Sequence, residues 1–198
     1  MLFIATTIFL CFFVFVANGS EFLEYHTFQP PFQDVDSTGA RIVNENWRTH
    51  GTAVVNSNFI RLTPDRQSKK GAIWSRRAVG VPSLSTVLKF RISGQGKMFF
   101  GDGIGMWIVQ QSYYNEGDLH GFQEKFVGLG IIFDTFKNTE NLANHRDVTI
   151  LVNDGTKTYE MMTADVQGCN TNVRYHAQRA DFSVLDASRA KIVLDDKR

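Results

Sequence analysis

From Phe22 onward the apolar residues of this chain recur mostly at every second position, and the three-to-four spacing of an amphipathic helix is nearly absent. A period of two places successive side chains on opposite faces of an extended strand. In TVLKFRI, Leu88, Phe90 and Ile92 share one face and Lys89 and Arg91 the other, which predicts a half-buried antiparallel strand. VTILVND alternates Val148, Ile150 and Val152 with Thr149, Leu151 and Asn153, and its apolar character predicts a second layer on both sides. VGLGIIFDTF predicts an inner strand whose two glycines admit close backbone or aromatic packing. Asn153-Asp154-Gly155 predicts a turn joining residues 148–153 to a further strand over residues 157–162. FSVLD and AKIVLDD predict a second hairpin across Ala187-Ser188-Arg189, with Ile192 and Leu194 on one face and Lys191, Val193 and Asp195 on the other. The fold class expected is all-β, two packed antiparallel sheets, with a β-barrel as the alternative that periodicity leaves open.

The 198 residues are 43% hydrophobic and 21% charged, enough for one core and too apolar for wholesale disorder. A formal charge of +1 cannot supply the broad positive field of a nucleic-acid binder, so no nucleic-acid partner is expected. Arg61, Arg66, Lys69, Lys70, Arg76 and Arg77 lack interleaved aromatics and read as a solvated face. Cys11 and Cys169 are too few for a disulfide framework or a thiolate zinc site.

The first nineteen residues carry no charged side chain and hold five of the seventeen phenylalanines. An apolar run, small residues and then Glu21 form the layout of a signal peptide, expected over residues 1–19 with cleavage between Ala17 and Glu21. A short signal anchor is the alternative. Cleavage removes Cys11 and leaves Cys169 without a partner in an oxidising compartment.

Enzymatic patterns are weak. GDGIG lacks the dinucleotide spacing, and the MWIVQ that follows it is strand-like. His26, His50, His120, His145 and His176 are scattered without metal-ligand spacing and are expected as surface or hydrogen-bonded loop residues. Trp47, Trp74 and Trp107 are expected in the core. The spacing D-T-F-K-N lets Asp134, the backbone of Phe136 and Asn138 fold oxygens around one point, as a hard cation requires. An Asx-type turn is the competing reading. Asp102 lies between two glycines, so a flat ligand could approach its carboxylate closely, while a plain turn acid is the alternative. A carboxylate and an asparagine can bind vicinal sugar hydroxyls, with Phe136 or Tyr114 offering a ring to the pyranose face.

RLTPDRQSKKGAIWS, GDGIGMW and GLGIIFDTFKN, in this order and spacing, resemble the luminal carbohydrate-recognition domain of the L-type lectins of the secretory pathway, the VIP36 and ERGIC-53 cargo-receptor group. The resemblance implies a concanavalin-like β-sandwich, or jelly roll, over residues 20–198. It also implies binding of high-mannose N-glycans on glycoprotein cargo between endoplasmic reticulum and Golgi, with Ca²⁺ and no catalysis. By position, Asp102 and Asn138 correspond to carbohydrate-binding residues, and Asp134, the Phe136 carbonyl and Asn138 to calcium ligands. Related cargo receptors are further expected partners.

Departures from the family pattern carry their own expectations. The stretch TYEMMTADVQGC places Met161 where the family has a sugar-contacting histidine, and a thioether cannot replace imidazole as a hydrogen-bonding group for hydroxyls. Asp165 is the candidate for the second calcium aspartate. Cys169 resembles the first cysteine of a late disulfide whose partner would lie beyond Arg198. The last strands of the sandwich are expected to be missing, as in a fragment of a membrane receptor, and membrane attachment is expected only if the full chain extends beyond Arg198. A short soluble lectin-like protein is the other account. The competing functional reading is a degenerate lectin-fold module that contacts proteins without calcium or sugar.

Overall fold

The structure, a computed structural model, describes residues 11–15, 23–96, 100–136, 145–164, 167–175 and 187–195, with 11–15 and Arg41 described by backbone alone. The strands are β1 (Cys11–Phe15), β2 (Asp34–Val35), β3 (Arg41–Ile42), β4 (Trp47–Gly51), β5 (Val54–Val55), β6 (Ile60–Arg61) and β7 (Gly71–Ser75). They continue with β8 (Leu84–Phe90), β9 (Gly103–Val109), β10 (Glu116–Leu119), β11 (Val127–Asp134) and β12 (Val148–Asp154), then a helix α1 (Tyr159–Thr163), β13 (Gln167–Cys169) and β14 (Ser188–Leu194). One sheet has the order β1-β8-β14 and a second β13-β12-β11-β9, with β2-β3, β4-β7 and β5-β6 as separate pairs. Every one of these strand pairings is antiparallel.

The alternation read from the sequence becomes the two faces of these sheets. Leu88 and Phe90 of β8 are each 1% exposed and meet Ile131 and Phe133 of β11 across the layers, with the Phe90 and Phe133 rings 4.6 Å apart. The opposite face of β11 holds a second cluster, Ile132 with Leu151, Phe122, Phe126, Leu119 and Met162. Trp107 and Trp74 pack against that cluster and Trp47 against the first, so all three tryptophans serve the core. Gly130 leaves room for the Trp107 ring, because a Cβ there would stand 2.4 Å from Trp107 Cζ3. The close aromatic packing expected of this strand is therefore present.

Several expectations are corrected. Residues 157–162 do not form a strand: Tyr159–Thr163 is helical, and one turn suffices to bury Met162 in the second cluster while leaving Met161 65% exposed. Among the described residues strand β12 is covered on one face only, since Ile150 is 44% and Val152 59% exposed. Arg91 is buried and its guanidinium stacks 4.4 Å from the Tyr175 ring, against the solvent-facing role its position predicts. Ser188 and Arg189 open β14 instead of forming a turn, and the FSVLD half of the predicted hairpin lies outside the described residues. Apart from these corrections, Cys11–Phe15, within the expected leader, runs along β8 as β1. Strands β7 and β9 each pair on one side among the described residues, and both line a cavity of about 720 Å³.

Candidate functional site

The antiparallel register of β9 and β11 pairs Gly103 with Asp134. Asp102, just before β9, and Asp134, the last residue of β11, are thereby brought to the same end of the sheet. Thr135 fixes the junction, its backbone N–H and its hydroxyl donating to the Asp102 carbonyl at 2.7 and 3.1 Å. The Phe136 N–H donates to Asp134 Oδ1 at 2.7 Å. That bond is the Asx-type turn expected as the alternative reading, and it coexists with a shared cavity of about 440 Å³ that Asp102, Asp134 and Phe136 line together. Asn138 and Asp165 lie outside the described residues.

Burial pushes the Asp134 carboxyl up to about 6. The Phe136 N–H and His145 oppose the rise, while Asp102 and Asp147 add to it. Asp102 is likewise raised by burial, against the pull of Lys70. Two carboxyl groups thus share a desolvated end of the sheet with too little positive charge, an electrostatic setting that a cation relieves. The donors are oxygens only, the Asp134 carboxylate and the Phe136 carbonyl, which suits a hard cation such as Ca²⁺. Asp147 is committed elsewhere, accepting from His145 Nε2 at 3.1 Å and from the Thr171 N–H at 2.7 Å. Among the described residues no three His, Cys, Asp or Glu side chains converge as a metal-binding group.

The fold adds residues to this cavity that the sequence did not single out. Glu124 and Tyr159 line it. Buried Asn153 places both: its Nδ2 donates to the Glu124 and Lys157 carbonyls at 3.1 and 3.0 Å, and the Tyr159 N–H donates to Glu124 Oε1 at 2.5 Å. Asp118 and Leu119 enter from the end of β10 and His120 from the turn after it. His120 was expected as a surface or hydrogen-bonded loop residue, yet its Nδ1 is buried with no hydrogen-bond partner among the described residues. The His50 Nε2 is in the same state, and His26 is buried with its Nε2 3.2 Å from the Ala78 carbonyl. Tyr114 is no exposed platform: it packs on Phe122 and Trp74, and its hydroxyl donates to the Gly121 carbonyl. Its neighbour Tyr113 is 58% exposed. The usable signal for the added residues is the Asn153-Asp154-Gly155 turn, which fixes where Tyr159 begins; nothing local marks Glu124 or His120.

A model of the legume-like lectin family matches residues 19–196. A VIP36-like protein of Bos taurus is 33% identical over 156 residues, 75% of this chain and 43% of that protein. The vesicular integral-membrane protein VIP36 of Homo sapiens is 27% identical over 190 residues, 91% of this chain and 52% of that protein. The chain spans about half the length of the curated relatives it matches. Among solved structures, the Ca²⁺-bound exoplasmic/lumenal domain of VIP36 superposes with a TM-score of 0.70 at 25% identity, covering 86% of this chain and 68% of that one. The Ca²⁺/Man2-bound form gives a TM-score of 0.65 at 28% identity, covering 77% and 62%. The sandwich is therefore of the concanavalin-like type, and with Asp102 and Asp134 at one end of it, this chain belongs to the legume-like lectin family.

Proposed function

We propose that this chain is a calcium-dependent carbohydrate-binding domain that recognises high-mannose N-glycans on glycoproteins in the early secretory pathway. The observation that carries the reading is the cavity lined jointly by Asp102, Asp134 and Phe136 at the end of β9 and β11. Its volume exceeds that of one pyranose and its carboxylates are hydrogen-bond acceptors for hydroxyl donors. Relatives in the same family have been solved with Ca²⁺ and with mannose-containing ligands, which supports the assignment.

Binding is reversible and breaks no bond of the sugar. Asp102 accepts hydrogen bonds from vicinal hydroxyls in its ionised form, which Lys70 favours against burial. A hydrogen bond to a charged group contributes about 1.5–3 kcal/mol, so two of them account for the roughly millimolar affinity of a single sugar unit. Phe136 lends a ring to the apolar face of the pyranose. Asp134, the Phe136 carbonyl, Asn138 and Asp165 would hold Ca²⁺, which supplies the positive charge that keeps Asp134 ionised. The Phe136 N–H bond to Asp134 already folds the start of that loop before any ligand arrives. Residues 1–19 act as a cleaved leader and residues 20–198 as the lectin-like domain, on the luminal side of endoplasmic reticulum and Golgi membranes. Glycoprotein cargo is the partner class.

The test is titration of methyl α-mannoside and a high-mannose oligosaccharide into the chain with calcium and with a chelator, beside Asp102→Asn and Asn138→Ala variants. Wild type is expected to bind only with calcium, and each variant to lose at least tenfold in affinity. The exposed Met161 side chain motivates the competing protein-contact reading. That reading wins if no glycan binding is detected and cargo capture survives deglycosylation of the cargo.

A further inference from the structure

His120 occupies the tip of the turn that follows β10, with a positive φ of 45° followed by Gly121 at 86°. Both flanks of the turn are anchored. Leu119 and Phe122 are 7% and 0% exposed in the cluster beneath β11, and the Tyr114 hydroxyl and the Gly117 N–H both donate to the Gly121 carbonyl. The imidazole therefore has little freedom to seek a partner, and its buried Nδ1 has none among the described residues. Leaving such an atom unsatisfied costs about 1–3 kcal/mol, a cost native structures rarely bear without a use for the atom.

His120 lies between two cavities. Asp102 and Asp118 line both, and the smaller adds the carboxyl groups of Glu124 and Asp134 to them. Ionised carboxylates can only accept hydrogen bonds, while a sugar hydroxyl both donates and accepts. Burial pulls the His120 imidazole down to about 4, so near neutral pH the ring is uncharged and carries one donor and one acceptor nitrogen. Met161, where the family resemblance led one to look for an imidazole, is 65% exposed and does not line the smaller cavity. We infer that His120 is a further binding residue of the lectin site, its Nδ1 hydrogen-bonding a hydroxyl of the bound pyranose.

This inference rests on the lectin reading, and its test separates the two. The full chain with ¹⁵N-labelled histidine and calcium is titrated with methyl α-mannoside, and the ring nitrogens are followed by NMR. The His120 Nδ1 resonance is expected to move on saturation. His120→Phe keeps a planar ring and is expected to bind about tenfold more weakly, with a thermal midpoint equal to or above that of wild type because the unsatisfied nitrogen is gone. Wild-type binding with His120→Phe within twofold overturns the inference and leaves the lectin reading standing. A weakened variant with no movement of Nδ1 in wild type marks a packing role and also overturns it. Absence of mannoside binding by wild type overturns both. Should His120→Phe fail to fold, the wild-type Nδ1 resonance decides alone.

Discussion

Phe136 lies directly against Gly101: a methyl group on Gly101 would stand 2.5 Å from the Phe136 Cβ and 3.0 Å from its Cγ. The contact couples the strand entry that carries Asp102 to the loop that carries the Phe136 carbonyl. Neither obstructing atom is the free end of a flexible side chain, so Gly101→Ala must displace backbone. Overpacking of this kind costs about 1–3 kcal/mol. The expected outcome is a modest fall in thermal midpoint with at least a tenfold loss of calcium-dependent mannoside affinity. Calorimetric titration beside thermal unfolding checks it, and an unchanged affinity would show that the cavity tolerates a shifted Phe136.

Phe122 is the aromatic centre under the site, 0% exposed and within 6.3 Å, centroid to centroid, of Trp74, Trp107, Tyr114 and Phe126. It also bridges Glu116 and Leu119, closing the turn that holds His120. Phe122→Ala removes a large side chain from a packed cluster and is expected to cost about 3–5 kcal/mol. Denaturant unfolding with tryptophan fluorescence measures it, because Trp74 and Trp107 both line the vacated volume. A cost below about 1 kcal/mol would mean that the second cluster is loosely packed.

Strands β8 and β14 were legible because alternate side chains turn inward, a period of two written directly into such residues as Leu88, Phe90 and Ile192, whereas β11 was legible as a continuous apolar run in which Ile131, Ile132 and Phe133 are all buried. Alternation tells which side chains share a face and not whether anything covers that face, which is why Ile150 and Val152 were assigned a cover they lack. The five-residue α1 is too short to show helical periodicity, and its single buried residue, Met162, fits a strand pattern equally well. The burial of Arg91 depends on Tyr175, far away in sequence. At the site, Asp102, Asp134 and Phe136 were found because they sit in short motifs with characteristic spacing. His120, Glu124 and Tyr159 reach the same cavity only through the β10 turn and the hydrogen bonds of Asn153, and a lone histidine beside a glycine carries no local signal of that placement.

The Asp134 carboxyl, at about 6 in the folded chain against an ordinary 3.8, gives the most direct test of the cation reading. Between these values the folded state holds a proton that the unfolded state has released, so stability falls as pH rises through this window and levels off above it. At 1.36 kcal/mol per pH unit the contribution reaches about 3 kcal/mol, present in full below pH 3.8 and lost above pH 6. The groups that set the value are burial, the Phe136 N–H, His145, Asp102 and Asp147, and of these Asp134→Asn preserves the Phe136 N–H bond through its amide oxygen. In chelator, Asp134→Asn is therefore expected to be more stable than wild type at pH 7, by up to about 3 kcal/mol, and to lose that advantage near pH 3.5. Calcium at pH 7 is expected to reverse the order, stabilising wild type by binding the ionised carboxylate and leaving the variant unmoved. Thermal unfolding at the two pH values, with and without calcium, measures all four corners; a wild-type-to-variant difference independent of both pH and calcium would remove Asp134 from any cation site.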